Sequence, residues 1–396
     1  MRYLRLYIVL VILFSIFSIP EIAFSAVGPF KLYSADSSSY IRFQLVSQLR
    51  SDLNCLEEKS DPDRSYAFST RFRRIRLSLS GSLLKKELTY LLHLSTAPGS
   101  LELMDLYINY QVTDNIQLRY GQFKIPFTRY RIQSYQRLTF ADWALVTRYF
   151  GAERQPGLAL HNGYEKPPRW GYVFGIFNGA NARSSHGIGI AQIFGEKTPN
   201  PSNLADPAPL EKYHPEIVCH GSYNHNGINV QSDTDEERKG LQYLGAFSLA
   251  FDFEPSRHRE FSLRLAGEFL VKYRGVSFSS VGYAGYFKHS NNRRTEPAMT
   301  GGLFQTAYRI NHLYEISLRY ALVDIRKILR DDAAAYVASG ADNDRLQREE
   351  ELTAGFNIYF SEHAVKWQND VGCLRYSYGG YNLTDFIIRS QLQLSF

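Results

Sequence analysis

The chain is 396 residues long, 44% apolar and 21% charged, with a mean hydropathy of −0.29, which excludes both a disordered polyelectrolyte and a bundle of membrane-spanning helices. Its 28 tyrosines and 26 phenylalanines, against 3 tryptophans and 3 methionines, point to a chain built from strands. The three cysteines, Cys55, Cys219 and Cys373, match neither a zinc spacing nor a disulfide framework, and a net charge of +6 favours anions, membranes or nucleic acid without choosing among them.

Residues 1–25 open with Arg2 and Arg5, continue with an apolar stretch from Leu6 to Ile19, and end on Ala23-Phe24-Ser25. This is the layout of a signal peptide cleaved after Ser25. The apolar stretch is shorter than the ~20 residues a bilayer-spanning helix needs. No later run reaches that length, so the exported part, 26–396, is either soluble or a membrane β-barrel.

From there, alternating segments of about ten residues recur between turn signals. They predict strands at 39–50, 66–81, 84–95, 101–112, 115–124, 156–163, 169–178 and 217–222, then 242–253, 259–271, 276–288, 299–310, 313–325, 350–360, 364–376 and 385–396. The count is about sixteen, an even number, in one domain. Short links such as Thr113-Asp114-Asn115, Arg274-Gly275 and Asn311-His312 alternate with long ones at 51–65, 125–155, 179–216 and 325–349. A barrel with tight turns at one rim and long loops at the other predicts this rhythm.

Charge assigns the faces, because a lysine or arginine facing lipid at mid-membrane costs about 2–4 kcal/mol and one facing a wet lumen costs little. Arg42 and Gln44 then point inward opposite Ile41, Phe43 and Leu45. Arg74 and Arg76 point inward opposite Ile75, Leu77 and Leu79. Asp105, Tyr107, Asn109 and Arg119 follow the same rule. Arg71 and Arg73 fall on the lipid parity, so either they lie at the outer rim or a bulge turns them inward. Later inward charges, such as Arg264 with Glu268 and Lys366 with Asp370, are balanced in sign, whereas inward basic groups outnumber acids in the first third. The last strand carries Phe386, Ile388, Leu392, Leu394 and Phe396 on one parity and Arg389, Gln391, Gln393 and Ser395 on the other. That ending is similar to those of bacterial outer-membrane barrels, where the final aromatic residue is read by the barrel assembly machinery.

Several stretches carry a resemblance in the right order: Phe72-Arg73-Arg74-Ile75-Arg76-Leu77, Gly121-Gln122-Phe123-Lys124-Ile125-Pro126-Phe127 leading into Thr128-Arg129-Tyr130-Arg131, Tyr273-Arg274-Gly275-Val276-Ser277, Glu315 to Tyr320, and the Gln391 to Phe396 ending. Together they resemble the phosphate-selective porin O and P family. The resemblance implies an all-β fold, a transmembrane antiparallel β-barrel of about sixteen strands that assembles as a homotrimer in the bacterial outer membrane, its third loop folded into the pore. It also implies passive diffusion of small anions such as phosphate past a ladder of arginines. Here the matching loop is 125–155, and the pore or anion-binding positions are Arg42, Arg73, Arg74, Arg76, Asp105, Arg119, Lys124, Arg129, Arg131 and Arg137. Guanidinium groups suit such a path because they stay charged and offer a planar fork of donors to oxyanions. Against this stands a structural role, in which these arginines pair with Asp105, Asp142 and Glu153 to hold the loop against the wall.

Expected partners are thus small anions, outer-membrane lipid, the assembly machinery and further copies of the chain, with no cofactor, metal or nucleic acid. The irregular spacing of His214, Cys219, His220 and His225 argues against a metal site, and the absence of a Gly-x-Ser-x-Gly motif argues against an outer-membrane hydrolase. A general or sugar-permeable porin and a non-conducting structural or adhesive barrel remain the alternative readings.

Overall fold

The computed structural model describes residues 30–59, 61–83, 87–96, 101–151, 154–178, 215–256, 259–289, 297–328 and 346–396. The first half holds a short β1 (Lys31–Tyr33) and then β2 (Tyr40–Glu58), β3 (Asp61–Leu83), β4 (Leu88–Ser95), β5 (Glu102–Thr113), β6 (Ile116–Lys124), β7 (Arg154–His161), β8 (Trp170–Phe177) and β9 (Glu216–His225). The second half holds β10 (Gln242–Ser256), β11 (Arg259–Tyr273), β12 (Val276–His289), β13 (Pro297–Arg309), β14 (Tyr314–Ile328), β15 (Leu346–Ser361), β16 (Val365–Tyr378) and β17 (Asn382–Ser395). Each strand from β2 onward pairs antiparallel with the next, and β17 returns to pair with β2, so sixteen strands close without an edge. Closure satisfies every ladder, the condition for crossing hydrocarbon with strands. The helical pieces, Arg129–Ile132, Tyr135–Arg137 and Thr147–Phe150, are single turns, and no helix among the described residues is long and apolar enough to cross a membrane.

The sixteen predicted segments coincide with β2 to β17. The expected lipid faces point outward, with Ile41, Phe43, Leu45, Leu106, Ile108 and Phe386 all exposed on the outside of the closed sheet. One expectation fails. The stretch 51–65 is not a long link, because β2 and β3 continue pairing to Glu58 opposite Asp61. At about 3.3 Å per residue, the 23 residues of β3 far exceed the ~9–11 needed to span hydrocarbon. Beyond the membrane, polar residues on either face cost nothing, so the alternation that marks a strand fades there. The signal peptide expected at 1–25 lies outside the described residues, as do 179–214 and 329–345, most of the two long links expected around them.

Arg73 sits in a β-bulge: Arg74 opposes Gln48 and Phe72 opposes Leu49, which leaves Arg73 unopposed. The extra residue flips the parity of β3, so Phe72 and Phe68 face out while Arg71 lies opposite the inward Arg50. This is the second of the two resolutions expected for the pair Arg71 and Arg73.

The hydrophobic core lies inside the barrel. Phe127, Tyr130, Leu145, Val146, Tyr149 and Phe150, from the β6–β7 connection, pack on Val281, Leu303, Ala321, Val323 and Ile325, which face inward from β12, β13 and β14. Fully burying each large apolar side chain contributes about 1.5–3 kcal/mol. Gly301 on β13 makes the approach possible, because a Cβ there would lie 2.5 Å from the Phe150 ring.

Gly121 has a φ of +129°, and a Cβ there would lie 2.2 Å from the carbonyl oxygen of Leu106. Gly121→Ala is therefore expected to lower stability by about 1–3 kcal/mol, read as an earlier urea midpoint in detergent. An unchanged midpoint would show that the backbone relaxes there.

Candidate functional site

The loop after β6 enters the lumen and stays there. An irregular segment buried in a barrel has backbone donors and acceptors that no ladder satisfies, and the wall supplies the partners. The Glu268 carboxylate accepts from the Arg129 amide at 2.8 Å, Asp370 from the Ala141 amide at 3.0 Å, and Glu351 from the Leu145 amide at 2.8 Å. Lys366 and Gln368 each donate to the Leu138 carbonyl at 2.9 Å, and Asn357 donates to the Thr139 carbonyl at 2.7 Å. Arg319 donates to the Asp142 carbonyl at 2.9 Å while also pairing with Glu351. The inward charges of the later strands are thus fastenings for the loop as well as partners of one another.

At the opposite wall the loop presents Asp142. Its carboxylate receives Arg74 at 2.8 Å and Arg50 and Arg73 each at 3.0 Å. Burial alone would raise the Asp142 pKa, but Arg74, Arg73 and Arg50 outweigh it and hold the group well below its ordinary value. Asp105 plays a similar part between His93 and Arg154, both at 2.8 Å. Lys124 closes the neck of the loop by donating to the carbonyls of Arg131, Ile132 and Gln133 at 3.0–3.3 Å.

Between loop and early-strand wall remains a cavity of about 220 Å³. Arg76, Arg119, Lys124 and Arg154 line it against two carboxylates, Asp105 and Glu165, so its fixed charge is positive. Arg119 is bound to Glu165 at 2.8 Å and to the Tyr164 hydroxyl at 2.7 Å, and it lies over the Tyr107 ring at 4.2 Å. Arg76 differs from it: its guanidinium lies 4.5 Å from the centre of the Tyr135 ring, and neither Nε nor Nη1 has a hydrogen-bond partner.

Of the ten sequence-predicted positions, the structure brings Arg76, Asp105, Arg119 and Lys124 to this cavity. Arg42 faces inward on β2, two residues nearer the short-turn rim than the cavity-lining Gln44, and its shielded Nε is without a partner. Arg73 and Arg74 bind Asp142, which is the structural role weighed above. Arg129 points away from the cavity toward Gln133, Asp233 and Ser279, Arg137 pairs with Glu236 at 3.7 Å, and Arg131 stacks on Trp143 at 4.5 Å. Sequence reasoning missed His93 and Glu165, and it counted Arg154 among the arginines of the loop 125–155, where the structure places it at the start of β7. His93 and Arg154 have inward parity on β4 and β7, a readable signal, whereas Glu165 projects from the β7–β8 turn and carries none. Cys219 faces outward and His220 inward from β9, and among the described residues no group of three His, Cys, Asp or Glu side chains is placed to hold a metal.

A closed sixteen-stranded barrel with a loop folded across a charged lumen defines the outer-membrane channel class of folds. The family model of the phosphate-selective porins O and P matches residues 43–196, which bears out the resemblance over that stretch. Among solved structures, the outer-membrane channel DcaP of Acinetobacter baumannii superposes with a TM-score of 0.59 at 11% identity, covering 92% of this chain and 99% of that one. A loop-deletion mutant of OmpT, an outer-membrane protein of Vibrio cholerae, gives 0.54 at 8% identity, with 90% and 99% covered. The anion-selective porin of Comamonas acidovorans gives 0.52 at 10% identity, with 90% and 100% covered. No curated protein matches the chain by sequence.

Asp142→Asn removes the charge that three arginines share, and breaking a buried pair of this kind costs about 3–5 kcal/mol. The loop is expected to become a protease target at pH 7. Because the folded pKa lies below the ordinary 3.8, the contribution is complete at neutral pH and is lost as pH falls below about 4 and through the folded value. The wild type should therefore converge on the variant only in strong acid, and an equally protected loop in both at pH 7 would refute the role.

Proposed function

We propose that the protein is an outer-membrane porin that gives passive diffusion to small anionic solutes, phosphate or similar oxyanions, through the cavity beside the inward loop. The observation that carries this reading is the cavity's excess of cations, with Arg76 held over Tyr135 and short of hydrogen-bond acceptors. An oxyanion passing there would meet a guanidinium already desolvated, at a cost the protein meets in folding. Arg119, Lys124 and Arg154 raise the local potential without each offering a free fork, so no single position holds the anion tightly. No bond is made or broken along such a path.

The anion selectivity of the Comamonas acidovorans porin agrees with this reading. We further propose export through the signal peptide at 1–25, outer-membrane insertion with the exposed apolar residues against lipid, and assembly as a homotrimer as the family resemblance implies. The C-terminal Phe396 exchanges backbone hydrogen bonds with Leu45 at 2.9 and 3.2 Å, sealing β17 to β2 beside the signal proposed for the assembly machinery. A sugar-permeable pore is the weaker reading, since the Tyr107, Phe123 and Tyr164 rings around the cavity already flank Arg119.

Reversal potentials in planar bilayers under a salt gradient test the proposal. Wild-type protein should prefer anions, and Arg76→Ala should lower the anion-to-cation permeability ratio severalfold. Arg169→Ala should leave that ratio at wild type, because Arg169 is exposed and lies against Tyr223 on the outside of the sheet. Cation preference in the wild type would overturn the reading, and an unmoved ratio in Arg76→Ala would remove Arg76 from the path.

A further inference from the structure

The connection between β9 and β10 lies at the rim of tight turns, shared with Arg274-Gly275 and Asn311-His312, yet it runs through 226–241. It folds into the mouth of the barrel. Ile228 and Val230 pack on Leu244 and Leu270, which face the lumen from β10 and β11. Two inward leucines on a wetted wall are unfavourable unless something covers them, and this segment does. Lys272 donates to the carbonyls of Asn229 and Ser232 at 2.8 and 3.0 Å, the Gly275 amide donates to Asp235 at 2.6 Å, and Thr234 donates to Glu315.

These attachments reach across the barrel. At one end the Gln231 amide donates to the Glu165 carbonyl, in the β7–β8 turn, at 3.4 Å. At the other, Glu236 meets His363, in the β15–β16 turn, at 2.7 Å. Those two turns are half the ring of sixteen strands apart, so the segment spans a diameter. From inside, Asp233 takes Gln133 at 3.0 Å and Arg129 at 3.4 Å, and the Asp233 amide donates to the Arg137 carbonyl at 3.4 Å. Gln231 also lines the cavity beside the early-strand wall.

We propose that 226–241 is a second constriction, a crossbar that limits the size of solute passing between the cavity and the tight-turn rim, with Gln231 as the residue that gauges it. The inference rests on the porin reading and adds a second element to it. The crossbar selects by size rather than charge, because each of its acids is answered: Asp233 by Arg129, Glu236 by Arg137, Glu237 by Lys239, and Asp235 by the Arg238 and Gly275 amides.

Single-channel recording tests it on the full chain. Gln231→Trp should at least halve the conductance and leave the anion-to-cation ratio in place, whereas replacing 229–236 by Gly-Gly should at least double the conductance. Wild-type conductance in Gln231→Trp overturns the crossbar and leaves the porin reading standing. So does wild-type conductance in the deletion, provided it gives a heat-modifiable band on a gel. If the deletion does not fold, Gln231→Trp decides alone. A wild-type protein that never conducts overturns the porin reading itself, and the crossbar with it.

Discussion

A loop that leaves the sheet and enters a barrel carries amide hydrogens and carbonyl oxygens into a space where water is scarce, and leaving such groups unpartnered costs about 1–3 kcal/mol each. Everything distinctive in this structure answers that constraint. Glu268, Glu351 and Asp370 face inward because loop amides need acceptors, and Asn357, Lys366 and Gln368 face inward because loop carbonyls need donors. Without the loop these would be solvated charges with no particular pattern.

The same constraint divides the lumen. One side, lined from β12 to β14, is apolar and filled by Tyr149, Phe150 and Val146. The other side, from β2 to β7, keeps an open cavity and its basic residues. Asp142 joins the halves by crossing to Arg50, Arg73 and Arg74, so the carboxylate that steadies the loop also neutralises part of the basic wall. The guanidinium least taken up by these pairings is that of Arg76, over the Tyr135 ring.

Strand number and face assignment were legible because a two-residue period and the high cost of charge in lipid both act locally, whereas the inward course of 125–155 was implied only by the family resemblance. Arg42 opposite Ile41 is decided by immediate neighbours. The destinations of inward side chains were not legible, because they depend on tertiary partners: Arg119, Arg129 and Arg137 look alike in sequence, yet one lines the cavity and two face the acidic turn. That turn was the largest omission. The Asp233-Thr234-Asp235-Glu236 run reads as a solvated loop, and the sign that it folds inward lies elsewhere, in Leu244 and Leu270 breaking a polar inner face. The overlong hairpin of β2 and β3 was hidden for the opposite reason, since outside the bilayer no penalty enforces a pattern.

The bulge at Arg73 has a bearing on how this protein tolerates change. A barrel strand normally absorbs substitutions one position at a time, since each touches a single environment. Here one unopposed residue sets the phase of the outer part of β3, so losing it would exchange the surroundings of the positions beyond, sending Phe68 and Phe72 into the lumen and turning Arg71 outward. Single-residue deletions should therefore be far less tolerated there than replacements, and relatives that differ in length near this point would need a second bulge nearby to restore the phase.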